Sequence, residues 1–121
     1  GNIVHIHDDF LGKSIYVKHS MNNKSGDTLH TIYGHTAPVT NYNAGKTVCE
    51  GDIIATVSPS SSESKTPAHV HITIAWLPRD ISYNRLNWIS INNPDIATLC
   101  NPLDYINIKY ATETLYPHIE T

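Results

Sequence analysis

Apolar and polar positions alternate over short stretches along most of the chain, and helical spacing is scarce. Residues 3–7 alternate and are ended by Asp8-Asp9 and Gly12, residues 14–19 predict a second strand, and residues 28–35 predict a third that stops near Gly34-His35. The stretch 20–27, with Asn22-Asn23 and Ser25-Gly26, is a turn-rich connection. After a loop at 36–43, Ala44-Gly45-Lys46-Thr47-Val48 and Cys49-Glu50-Gly51-Asp52-Ile53-Ile54 each put a Gly-polar turn ahead of a brief apolar strand, the second running on to Val57. Next, Pro67-Ala68-His69-Val70-His71-Ile72-Thr73-Ile74-Ala75-Trp76 alternates cleanly: His69, His71, Thr73 and Ala75 share one face, and Val70, Ile72, Ile74 and Trp76 form an apolar underside. Before it, residues 58–67 are low in complexity and predict a surface loop. Asn93-Pro94 resembles a cap with Pro at the first helical position, heading a helical turn at 95–99, and Asn101-Pro102 repeats that signature. The tail from Asn107 would add one more strand. These elements predict an all-β fold, a small antiparallel β-sandwich or barrel with short helical turns near the C-terminus.

Composition narrows the class further. With 121 residues, the chain predicts a single domain large enough for its own core. Hydrophobic content of 40% and charged content of 16% are ordinary for a folded protein and argue against disorder. A net charge of −3, without a run of either sign, offers no basic stripe to neutralise phosphates, so no nucleic-acid partner is expected. No apolar run is long enough for a membrane span. The chain opens on Gly1-Asn2-Ile3-Val4, already running into a strand without an initiator Met or a leader, which predicts a segment of a longer protein or a processed product. Cys49 and Cys100 could form one disulfide in an exported protein, but two cysteines do not establish the compartment.

The chemistry concentrates on histidines. Residues two apart on a strand lie about 6.6 Å apart and point the same way. Zinc takes a histidine nitrogen at about 2.0–2.1 Å. His69 and His71 could therefore share one metal, or one could bind it while the other moves a proton. The plain alternative is two polar residues on the wet face of a strand. His5 and His7 also share a strand face, but Asp8-Asp9 beside them is ordinary turn chemistry and nothing aims them at His71. Glu63, in the loop, is a weaker candidate ligand still. Trp76 and Trp88 read as core or groove wall, and Gly45 and Gly51 as turn residues, since no helix follows them to cradle a phosphate.

Several fragments match one family in order. Gly1-Asn2-Ile3-Val4, Ile15-Tyr16-Val17-Lys18-His19, Thr31-Ile32-Tyr33-Gly34-His35, residues 44–54 and Ala68-His69-Val70-His71-Ile72 resemble the lysostaphin-like (LytM-type) zinc peptidases. Asn101-Pro102-Leu103-Asp104-Tyr105-Ile106 resembles the segment that often ends that domain. The resemblance implies an all-β domain whose groove holds one zinc and cuts peptide bonds, typically in peptidoglycan, in an exported (periplasmic, cell-surface or secreted) protein. It implies that His71 is a zinc ligand, and that His69 and His35 flank the reacting water and the scissile carbonyl as general acid/base and oxyanion stabilisers. Histidine titrates in the range those roles need. His19 also matches a position often histidine in the family, and reads as a structural hydrogen-bonding residue.

The sequence departs from that family in three places. Its other two zinc ligands come from a His-x-x-x-Asp motif that would lie ahead of Gly1, and none occurs downstream in register. A catalytic zinc takes three protein ligands plus water, and one is visible. The Gly-rich turn usual before His-x-His is replaced by the Ser-rich stretch 58–67, and residues 77–100 read as an insertion. Two further readings follow. A degenerate, non-catalytic module of the same family would bind a peptide or cell wall, or regulate a partner enzyme. A lipoyl- or biotinyl-like swinging-arm domain would use the same Gly-polar turns, but no lysine stands out on an exposed hairpin.

Overall fold

The computed structural model describes residues 1–9, 12–39, 42–59 and 67–105. Six strands form one antiparallel sheet: β1 (Asn2–Asp9), β2 (Gly12–Asn22), β3 (Thr28–Pro38), β4 (Ala55–Val57), β5 (His71–Leu77) and β6 (Thr98–Cys100). The spatial order is β1-β2-β3-β5-β6, with β4 paired to the far end of β3. The all-β class is as expected, and the sheet is open. Gly45 and Gly51 sit at φ of 97° and 93°, where only glycine is unstrained, and supply the expected turns. The brief strand expected after Gly45 is reduced to an isolated bridge, Asn2 to Thr47, and that after Gly51 starts only at Ala55. After Gly45 the backbone exchanges hydrogen bonds with Gly1 and Ile3, but a bridge forms only at Asn2, whereas after Gly51 pairing with β3 begins at Ala55.

A short helix, α1 (Trp88–Ile91), lies in the segment 77–100. Asn87 caps it, accepting from the N–H groups of Ile89 and Ser90, while Ser90 Oγ accepts from the N–H of Asn87. Asn93-Pro94 heads a single turn, in which the N–H groups of Ile96 and Ala97 donate to the Asn93 carbonyl, and the helical turn expected at 95–99 is cut short where Thr98–Cys100 pair with Ile74–Trp76 as β6. Asn101-Pro102 does open a helical turn, Pro102–Asp104, with Asn101 Oδ1 accepting from Leu103 N–H. The strand expected in the tail from Asn107 and the loop residues 60–66, Glu63 among them, lie outside the described residues. No helix of the described residues is long and apolar enough to cross a membrane.

Two cores flank the sheet. On one face, Tyr16, Ile32, Ala75 and Leu77 are buried with Leu86, Ile91 and Ala97 from the 77–100 segment. On the other, Ile3, Ile15 and Val17 pack with Val48. This corrects the expected division of β5 into a wet histidine face and an apolar underside. The histidine face is exposed only at its start. It continues through Thr73 into Ala75 and Leu77, both fully buried beneath residues of the 77–100 segment. That segment is anchored by a buried polar contact as well. His30, 1% exposed, must donate through Nδ1 to the Thr28 carbonyl at 2.9 Å, since a carbonyl only accepts. Its Nε2 therefore accepts from the Tyr83 hydroxyl at 2.9 Å. Burial lowers the His30 pKa, keeping the ring in the neutral form that makes both bonds, and raises that of Tyr83, keeping its hydroxyl proton.

Candidate active site

Three of the histidines meet where β3 and β5 begin to part. Gly34 is opposite His71 in the ladder, at the last paired position. Beyond it, two steps on β2 (Ile15 to Lys13) face three on β3 (Tyr33 to Thr36), so β3 carries one extra residue there. His35 sits in that irregularity at φ 63°, a left-handed conformation that few non-glycine residues adopt but histidine does more readily than most. Regular alternation would send His35 to the face opposite that of Gly34 and His71. The bulge instead brings its ring 4.9 Å from the centroid of His69 and 6.0 Å from that of His71, edge-on to both. Backbone strain of this kind recurs at functional sites.

His69 lies just before β5 rather than in it, and both His69 and His71 are exposed. The His69 Nδ1–H donates to the Pro67 carbonyl at 2.8 Å. That bond fixes the tautomer and puts the accepting lone pair of the neutral ring on Nε2. The structure thus brings His35, His69 and His71 together.

The other histidines are placed elsewhere. His19 Nε2 contacts Thr31 Oγ1 at 2.7 Å, a structural bond as expected, and burial followed by the N-terminal charge lowers its pKa. His5 and His7 pair with Tyr16 and Ser14, which puts them on the same sheet face as His71. Three strand spacings, about 14 Å, separate them from His71. Their rings stack at 5.9 Å, and the His5 ring is edge-on to Tyr16 at 5.2 Å. His5 Nε2 is buried without a hydrogen-bond partner among the described residues; desolvation, then the neighbouring His7, lowers its pKa. Cys49 and Cys100 are free thiols, so the disulfide considered from sequence is not formed. A cleft of about 520 Å³ lies on the opposite face, floored by Val17, Leu29 and Ile74 with Glu50 and Asp52 at its rim. None of the three clustered histidines lines it, whereas His19 does.

Two residues of the site escaped the sequence reading. Trp88, assigned there only to core or wall, has its ring centroid 4.8 Å from that of His71. Gly34 makes room for it: a Cβ there would fall 2.8 Å from Trp88 Cζ2 and 3.3 Å from His71 Cβ. The usable signal was Asn87 three residues ahead of Ser90, an N-cap arrangement that starts a helix at Trp88.

An all-β sheet presenting clustered imidazoles on one face matches the class anticipated from the sequence. The chain belongs to peptidase family M23: the family model matches residues 1–84. That family comprises LytM- and lysostaphin-like metallopeptidases. Searches of curated proteins and of solved structures find no match. Among the described residues, no three His, Cys, Asp or Glu side chains converge as a metal ion requires. A catalytic zinc needs three such donors, so these residues alone do not fit one.

Proposed function

We propose that the chain carries the histidine wall of a peptide-bond hydrolase acting on peptidoglycan or a related peptide in an exported protein. The observation that supports this most is the convergence of His35 from the β3 bulge, His71 from β5 and His69 from just before β5, within the family-matched region. His69 is suited to general base and acid work. With Nδ1–H committed to Pro67, its Nε2 accepts a proton from the attacking water and returns it to the leaving amine. His35, edge-on to His69, is suited to stabilise the oxyanion that develops beside the pair. His71 is proposed as one donor to a zinc whose other donors come from residues outside the described set. Zinc supplies Lewis-acid polarisation when bound. Zinc content of the protein in its natural length tests this directly. One equivalent, lost in His71→Ala, is expected, and equal zinc in both would refute the assignment.

A second reading, a peptide-binding module without turnover, is favoured by the absence of a three-donor group among the described residues. Saturable binding of peptidoglycan peptides with no release of new amines would select it.

A further inference from the structure

We propose that Trp88 is a positioning residue for the histidine cluster: its indole, seated over Gly34, holds the His71 ring facing His35. Its effect on turnover rests on the peptidase reading proposed above, whereas its hold on the His71 ring does not. His71 is the first residue of β5 and the last one paired with β3, so ladder bonds cease to constrain the chain there. The orientation of an imidazole at such a position is set by what its ring touches. Trp88 covers one side of the ring at 4.8 Å and 39°, while His35 stands 6.0 Å away and edge-on. Ring pairs about 4.5–7 Å apart in tilted or edge-on arrangements are favourable.

The indole is itself tightly placed. Its backbone is the first residue of a helix closed by the reciprocal Asn87–Ser90 cap, and Asn92 Nδ2 donates to the Trp88 carbonyl at 2.7 Å. One turn on, Ile91 is 1% exposed in the core with Tyr16, Ile32 and Leu77. Beneath the indole, Gly34 is required for space rather than for backbone conformation. It is absent from the positive-φ residues, yet any Cβ there would strike Trp88. The ring therefore rests where any side chain larger than glycine's would displace it, delivered by a capped and anchored helix. Trp88 also lies beyond the family-matched residues 1–84.

The test combines side-chain NMR with a mutant cycle on the full chain. The indole ring current should shift the His71 ring protons upfield of those of exposed His69. Trp88→Ala should abolish that shift, and Trp88→Phe, which keeps an aromatic face and the fold, should retain part of it. Gly34→Ala should displace the indole and cause the same loss. The double variant should go no further than Trp88→Ala, because the added methyl then has no indole to strike. Where peptide is hydrolysed, Trp88→Ala should lower kcat about ten- to a hundredfold through misorientation, with KM little changed and Trp88→Phe restoring most of the rate. His71 protons that ignore Trp88→Ala, effects of Gly34 and Trp88 that simply add, or an unchanged kcat in an active protein would each overturn the proposal. Ring shifts that behave as expected in a protein without hydrolysis would retain the positioning of His71 and reject the peptidase reading instead.

Discussion

Two His-x-His pairs lie toward one face of the sheet, and their surroundings differ. His5 and His7 on β1 stack on each other and against Tyr16, with His5 Nε2 buried and unpartnered among the described residues. His69 and His71, at the start of β5, are exposed, and His35 reaches both from the bulge on β3. Same-face spacing is thus shared by a packed pair and a candidate site. The difference comes from other elements: a third imidazole turned onto the face by a left-handed residue, a carbonyl that fixes a tautomer, and a glycine that admits an indole. A site is made by convergence across strands, and spacing along one strand only permits it.

The widest separation between the pairs should appear in hydrolysis. His69→Ala should lower turnover by about 10²–10⁴-fold, the usual contribution of a positioned acid–base group, whereas His7→Ala should leave it within about twofold. Equal losses would erase the distinction. The cap over the shared face comes next. Ile91→Ala, in the core beneath α1, should cost about 2–5 kcal/mol in urea unfolding, because Ile91 is fully buried with Tyr16 and Leu77. A loss under about 1 kcal/mol would mean that the 77–100 segment is not integral to the fold.

Smaller still is the effect of acid. Burial lowers the pKa of His5, His19 and His30 below the ordinary 6.5, so between the folded and unfolded values the unfolded chain binds more protons. Stability should therefore be full above about pH 6.5 and decline as pH falls below it, as measured by urea midpoints at stepped pH. A midpoint that rises toward pH 5 would contradict the sign. The smallest effect is expected at the packed pair. His5→Phe removes the orphaned nitrogen while keeping a ring against Tyr16, so stability at neutral pH should be unchanged or slightly raised, and the acid decline shallower. A marked loss of stability would reveal a partner for His5 that the packing does not show.

Much of this was legible in the residue pattern. Alternation located β1, β2, β3 and β5, and Asn101-Pro102 correctly marked a helical turn. That His35, His69 and His71 lie near one another was legible through family resemblance, because they fall in short motifs met in order. What alternation could not convey was how the face of β5 would be covered. Ala75 and Leu77 look like the dry end of a wet face until Leu86, Ile91 and Ala97 fold over them. His30 read as one more strand residue, since its partner Tyr83 lies 53 positions away. Asn93-Pro94 misled because β6 pairing with β5 prevailed over a local helix signal. His35 is the sharpest instance. Its side chain reaches the cluster only because β3 carries one extra residue, and a period-two reading has no place for that residue.

The central claim is that the cluster of His35, His69 and His71 is a peptide-hydrolysing site. Release of new amino groups from purified peptidoglycan, compared among the natural-length protein, His69→Ala, His71→Ala and His7→Ala, tests it most directly. The account predicts release by the unaltered protein and by His7→Ala, and loss of about a hundredfold or more in the other two. Equal release by all four, or none by the unaltered protein supplied with zinc, would contradict it.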